Sequence, residues 1–460
     1  MTMSNANEAD APLILFVTLG CAKNEVDTDR MRSLLLRAGY GEADDVADAD
    51  AVIVNTCSFL ASATSESVER TLELAEAASE GVRERPIVMC GCVPSRYGDD
   101  LPTELPEVAA FVRADAEDGI VGVIDAVLGR ESIVPAAEGS AAGPLAEPLR
   151  TVEGASAYIK ISDGCDRFCS FCAIPYIRGR YASRPYGEIV AEVKTLAEQG
   201  VREFVLIGQD TGIWGKDLGE DDTLASLLVR LADVVRPYGA WLRVLYLQPE
   251  GMTDELIAAI RDTPEVLPYI DIPIQHCNAR VLKSMNRSGS AEEYSDLFAR
   301  LRREIPGMVL RTTGMAGFPG ETDDEFEELL EFISKEEFDY TSVFAYSPEE
   351  GTRGAEMDGQ VDEETKLERT QRLIDVAEEL GFSAKASHVG EVVDVIIDGV
   401  DTDGDEPELI GHAWFQAPDC DGAVHIPEGE ASVGDVVRVL LTEAFCYELE
   451  GEIVSPDEED

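Results

Sequence analysis

Asp163-Gly164-Cys165-Asp166-Arg167-Phe168-Cys169-Ser170-Phe171-Cys172 places three thiols within eight residues, with gaps of three and then two residues. Three thiolates from one short loop ligate three irons of a cubane cluster, whereas an ordinary electron-transfer cluster takes four. The fourth iron is left open. Next to a site for S-adenosylmethionine, an open iron chelates that cofactor's amino and carboxylate groups, and one electron then breaks its carbon–sulfur bond to release a radical. Phe171 is placed to pack on the adenine. Zinc is the competing occupant, but it normally takes four nitrogen or sulfur ligands, and no fourth stands nearby.

The 460 residues suffice for two or three domains with their own cores, and 45% apolar content supports a globular protein. No apolar run reaches the ~18 residues of a membrane span. Met1 to Pro12 is polar and acidic, unlike a secretory signal, so the expected location is cytoplasmic, with no membrane partner. Ten cysteines in such a compartment read as metal or catalytic ligands rather than disulfides. With 37 basic against 92 acidic residues, a formal −55, the chain repels a polyanion unless its basic residues are concentrated in one place.

Outward from the cysteine loop, residues 12–128 read as a small α/β domain. Leu13 to Thr18 is a buried strand ending at Gly20-Cys21, and the helix that follows stops at Gly39. Ala51 to Asn55 ends at Thr56-Cys57, and Pro86 to Cys90 ends at Gly91-Cys92. Three strands of a βαβ series thus each deliver a cysteine at the carboxyl end, where open parallel sheets place their ligands. Three such thiols suit a second three-coordinate 4Fe-4S cluster, again with an open iron. In an extended segment Cys90 and Cys92 point the same way; Cys92, which follows a glycine as Cys21 does, is the ligand chosen. Residues 129–156 have the composition of a linker.

From 157 to 385 strands and helices alternate in six βα units, the pattern of a partial (β/α)6 barrel with its site at the carboxyl ends of the strands. Gln209 and Asp210, ending the second strand, offer acceptors for the cofactor's ammonium. Gly317 to Glu321 is a tight turn open to ligand approach, and Thr322 to Glu325 is a capping box. Arg311, which alternates inward on the fifth strand if Leu310 packs outward, is the candidate partner of the cofactor's carboxylate. His276 and Cys277 receive no role. Residues 386–456 form five short strands, a small antiparallel β-barrel of the OB-like kind. Cys420 and Cys446 have no ligand spacing.

Leu19-Gly20-Cys21-Ala22-Lys23-Asn24, Asn55-Thr56-Cys57, Gly91-Cys92 and the C-x3-C-x2-C loop together resemble the radical S-adenosylmethionine methylthiotransferases, over nearly the whole chain. The resemblance implies an N-terminal methylthiotransferase domain, a radical core and a C-terminal TRAM domain. It also implies that a second S-adenosylmethionine donates a methyl group, so that the product carries a thiomethyl group. Gln209-Asp210-Thr211, Asp271-Ile272-Pro273-Ile274-Gln275-His276 and Pro348-Glu349-Glu350-Gly351 resemble the type that modifies an aspartate of the twelfth small-subunit ribosomal protein, rather than the type that modifies transfer-RNA adenosine. The implied partners are that protein, on the assembling or assembled subunit, and a low-potential electron donor. Direct RNA binding is not expected. From Ala386 to Asp460 there are 21 Asp and Glu but one Lys or Arg, Arg438, whereas a nucleic-acid-binding barrel needs a cationic groove. An iron-sulfur protein that bound ribosomes without catalysis would leave both open irons unexplained.

Overall fold

Leu13–Thr18 (β1), Ala51–Thr56 (β3) and Ile87–Gly91 (β4) are apolar runs, and every residue of β3 and β4 is buried. Such runs suit a parallel sheet covered on both faces. Gly41–Glu42 (β2) and Val108–Arg113 (β5), which periodicity did not reveal, complete a parallel sheet ordered β2-β1-β3-β4-β5. Alternation assigns its two faces. Ile14, Ile53, Val88 and Cys90 pack against Met31, Leu35, Ile120 and Ile124 of the helices Ala22–Arg37 and Ile120–Val127. Val52, Val54, Ile87 and Met89 pack against Leu74 and Ala78 of the helix Ala61–Ser79.

The computed structural model describes residues 11–79, 85–130, 150, 152, 154–219, 221–402 and 407–454. Most of the expected linker, 129–156, and most of Met1 to Pro12 lie outside the described residues. The chain divides into two compact units, Met1–Thr151 with Ala173–Arg180, and Val152–Cys172 with Tyr181–Asp460. The alternation of strands and helices over 157–385 assigns 173–180 to the core. Instead Ala173 and Ile177 pack on Cys92, and Arg178 pairs with Asp27.

In the second unit Ser156–Lys160 (β6) is followed by a two-stranded ribbon, Ser162–Asp163 (β7) with Ala182–Ser183 (β8). Glu203–Ile207 (β9), Trp241–Val244 (β10), Val266–Gln275 (β11), Val309–Ala316 (β12) and Tyr340–Ala345 (β13) then join β6 in a six-stranded parallel sheet, ordered β13-β12-β11-β10-β9-β6. This is the expected partial barrel. Val392–Asp401 (β14), Glu408–Ala413 (β15), Val424–Ile426 (β16), Val436–Ala444 (β17) and Leu449–Ile453 (β18) close into a small barrel around Val395, Ile397, Val424, Ile426, Val439 and Leu449. Among the described residues no helix is long and apolar enough to cross a membrane.

The small barrel is anchored where the core strands begin. His412 on β15 bonds Glu203, the first residue of β9, at 2.9 Å, and Asp398 on β14 at 2.6 Å. Glu203 also meets Arg243 of β10 at 2.6 Å, with both side chains fully buried. Tyr269 donates to Asp421 at 2.5 Å, and Tyr158 to the carbonyl of Pro418 at 3.1 Å. Removing one member of such a set leaves a buried charge without its partner.

Burial opposes charge on His412, but Glu203 and Asp398 outweigh it and push its pKa up to about 9. Burial would raise Glu203 as well, yet Arg243 and His412 bring it down to about 2. A raised histidine contributes stability in full below its ordinary value near ~6.5 and loses it as pH rises through the folded value; a depressed carboxylate loses its share as pH falls below ~4.3. The melting temperature of the full chain is therefore expected to fall from pH 6.5 to 9.5. The loss is on the order of 3 kcal/mol, and H412Q should flatten that limb in a pH series of thermal melts. Equal alkaline limbs in the two proteins would remove His412 from this account.

Candidate active site

Cys165, Cys169 and Cys172 lie on the loop after β7, and that loop is clamped from several sides. Asn286 donates its amide to the carbonyls of Arg167 and Phe168, both at 3.0 Å. The Ser170 amide donates to the Met285 carbonyl at 2.9 Å and its hydroxyl to that of Ser284 at 2.6 Å, while the Gly354 amide donates to the Ser170 carbonyl at 2.6 Å. Cys165 accepts from the Arg167 amide at 3.5 Å; burial, and then the neighbouring Cys169, push its thiol pKa up. Six non-glycine residues among those described have positive φ. Four of them, Phe168, Tyr246, Gln275 and Asn286, sit on this loop, at the ends of β10 and β11, or in the clamping segment. Backbone strain of this kind persists only where the surroundings over-determine it, and it clusters at functional sites.

Gln209 and Asp210 follow β9 on the same rim. Gln209 donates to Asp163 at 3.2 Å, leaving its side-chain oxygen buried with no partner. Asp210 is fully buried and accepts from Arg167 Nε at 2.7 Å, leaving its second oxygen equally orphaned. Burial pushes its pKa up, against the pull of Arg167. Two orphaned buried acceptors suit an ammonium group. Phe171 packs with Val281, Met285, Met315, Phe318 and Tyr346, a small apolar cluster of its own.

Two expectations need correction. Arg311 stands at the opposite end of its strand from this rim, donating to Asp421 at 3.1 Å and Ser342 at 2.9 Å, with Asp271 at 3.7 Å. It secures the small barrel and is not on hand for a carboxylate at the rim. Gly317 has φ +79°, and the space a side chain would need there is filled by Lys366. That turn serves the packing of the helix Glu363–Ser387.

In the first unit β1, β3 and β4 are adjacent, and the cysteines that follow them come together. Cys92 lies within electrostatic reach of both Cys57 and Cys21, and burial pushes its thiol up to about 11. Their backbones are fixed by the residues of the motifs. Asn24 donates to the carbonyls of Leu19 at 2.8 Å and Thr56 at 2.9 Å. Asn55 donates to Asn24 O at 2.9 Å, and the Thr56 hydroxyl donates to Cys90 O at 2.6 Å. Cys90 and Cys92 do not point the same way after all. Gly91, at φ +91°, breaks the strand alternation, leaving Cys90 in the core and turning Cys92 out to open the helix Cys92–Tyr97.

All ten cysteines are free. Among the described residues no three His, Cys, Asp or Glu side chains are arranged to hold a single metal ion. Each trio is instead a set of three soft sulfur donors with no fourth, which suits an iron-sulfur cluster.

The sequence profile of the Radical SAM superfamily matches residues 159–333, that of the uncharacterized protein family UPF0004 residues 13–113, and that of the TRAM domain residues 389–454. The chain is 41% identical to the ribosomal protein uS12 methylthiotransferase RimO of Synechococcus sp. (strain RCC307), over 99% of this chain and 93% of that one. It is 40% identical to the protein of the same name from Geobacter sulfurreducens, over 98% and 100%. The chain belongs to the RimO family. Among solved structures, the radical S-adenosylmethionine methyltransferase TsrM from Kitasatospora setae shares the fold, with a TM-score of 0.56 at 15% identity over 86% of this chain and 78% of that one.

Three charged residues of this RimO-family chain escaped the sequence reading. Arg167 pairs with Asp210, and Arg178 with Asp27. Arg167 was visible between the first two cysteines of the loop. Arg178 and Asp27 are 151 residues apart in sequence, and no local pattern joins them.

The Gly-Cys pairs generate a test. A Cβ at Gly20 (φ +105°) would stand 2.6 Å from Cys57 Cβ, and one at Gly91 would meet Asn55 and, at 2.8 Å, the Thr56 carbonyl. G20A and G91A are each expected to cost roughly 1–3 kcal/mol in backbone strain and to lower the iron bound by the N-terminal unit, measured by iron analysis after anaerobic reconstitution. G39A, where a Cβ meets nothing, should leave iron content unchanged.

Proposed function

We infer that the chain methylthiolates the β-carbon of an aspartate in ribosomal protein uS12, using S-adenosylmethionine and two 4Fe-4S clusters. The observation that carries this is about 40% identity to uS12 methylthiotransferases across nearly the full length of both chains. When bound, S-adenosylmethionine and the first cluster would supply the radical, a second S-adenosylmethionine the methyl group, and the second cluster a place to hold the sulfur. Cys165, Cys169 and Cys172 hold the radical-generating cluster. Gln209 and Asp210 receive the ammonium on their orphaned oxygens, and Phe171 packs on the adenine. Cys21, Cys57 and Cys92 hold the second cluster. The Cys90 thiol, inside the apolar core among Ile14, Ile53 and Val88, has no part in it. The setting is cytoplasmic, and a low-potential electron donor is the further partner.

Replacing Cys165, Cys169 or Cys172 with Ala should abolish 5′-deoxyadenosine formation in an anaerobic assay. A Cys21/Cys57/Cys92 triple Ala variant should keep roughly half the iron, as two cubanes of equal size require, and still cleave S-adenosylmethionine while transferring no sulfur to uS12, as read by mass analysis. Loss of the second cluster from Cys90→Ala but not from Cys92→Ala would reverse that ligand assignment.

The acidic small barrel is read as a docking surface for the basic ribosomal protein. Charge complementarity of this kind raises the association rate and is screened by salt. Affinity of the full chain for uS12 should fall steeply across a salt series, with transfer RNA failing to compete. Preferential binding of transfer RNA would favour a transfer-RNA substrate instead.

A further inference from the structure

The sequence that carries Cys165, Cys169 and Cys172 continues through Ala173–Arg180, which belongs to the N-terminal unit. There Ala173 and Ile177 pack on Cys92, and Arg178 enters a buried polar cluster. Its side chain is 2% exposed and that of Asp27 3%. Nη1 donates to Asp27 at 3.0 Å and Nη2 to the Asn24 oxygen at 2.8 Å. The orientation of Asn24 follows from its own donors, which serve the carbonyls of Leu19 and Thr56, so its oxygen must face Arg178. The residue before it, Ile177, packs on Cys92, and the guanidinium lies within electrostatic reach of Cys92 and Cys57. A buried ion pair is weak as a source of stability, since well-packed apolar residues serve as well or better. A guanidinium aimed at sulfur has a second use. It offers five donors in a planar fork, and Asp27 and Asn24 are among its partners.

We propose that Arg178 is a positioning residue for the second cluster: held by Asp27 and Asn24, its guanidinium donates to the Cys92 thiolate and sets the reduction potential of the cluster on Cys21, Cys57 and Cys92. This rests on the reading that those three cysteines hold a cluster. Donors to cluster sulfurs and a nearby positive charge stabilise the reduced, more negative state and raise the potential. Asp27 fixes the guanidinium and partly neutralises it. Removing Arg178 and removing the Asp27 charge should therefore move the potential in opposite directions, which damage to a merely structural residue would not do.

The test uses the full chain with Cys165, Cys169 and Cys172 all replaced by Ala, so that only the second cluster reports. Iron content, the electron paramagnetic resonance of the reduced state and the midpoint potential are measured with and without R178M, R178K and D27N. R178M should shift the midpoint negative by at least a tenfold change in the reduction equilibrium, about 59 mV for one electron. R178K should restore part of this, and D27N should shift it positive. Loss of iron from a folded R178M that R178K restores also supports the proposal. A cluster-loaded R178M with the parent's midpoint and resonance overturns it. If R178M does not fold, R178K and D27N decide, and unchanged midpoints in both overturn it. If the Arg178-containing background binds no iron, the cluster assignment itself fails, and the proposal falls with it.

Discussion

Where parallel strands end together, their last amides and carbonyls lose the neighbours that paired them along the sheet, and side chains must replace those bonds. Asn24, Asn55 and Thr56 do this in the N-terminal unit, binding the carbonyls of Leu19, Thr56, Asn24 and Cys90. The thiol trio depends on that arrangement. A cysteine one to three residues beyond a strand has no fixed position unless the turn beneath it is fixed, and these amides and hydroxyls fix three turns at once. Gly20 and Gly91 complete it, because at both places the neighbouring motif occupies the volume a side chain would need.

The radical core meets the same demand with backbone strain rather than amide side chains. Its cysteine loop is tied to residues 284–286 and to Gly354, and four of its rim residues adopt left-handed backbone without being glycine. The cost of that strain is met by the apolar mass behind it, which runs from Ile159 through Phe204, Leu242 and Ile272 to Leu310. The cysteine loop is therefore held by hydrogen bonds to the segments around it. Gln209 and Asp210 are among the rim residues that keep buried oxygens without partners.

Much of this was legible in the sequence because the informative signals are local. The C-x3-C-x2-C spacing, the strand-terminal Gly-Cys and Thr-Cys pairs and the Thr322 to Glu325 capping box each lie within a few residues, and periodicity placed the six core strands and the five of the small barrel. What was missed depends on distance along the chain or on a single dihedral angle. Cys90 and Cys92 share a face in an ideal strand, and one positive φ at Gly91 separates them. Arg311 was placed correctly on its strand but read toward the wrong end, because alternation gives the face of a strand and says nothing of which rim a residue two positions from its start will serve. Its partner Asp421 lies 110 residues further on, beyond the reach of any local rule.

That Arg311, Glu203, Tyr158 and Tyr269 all receive the small barrel near the starts of their strands has an evolutionary consequence. The candidate site lies at the finishing ends of those strands, and the appended barrel at their beginnings. Substitutions on the surface of the appendage leave the frame of the candidate site untouched, so the two ends of the core can vary independently. The last seventy-five residues, with 21 acidic side chains against one basic, lie at the end of the core that such variation reaches.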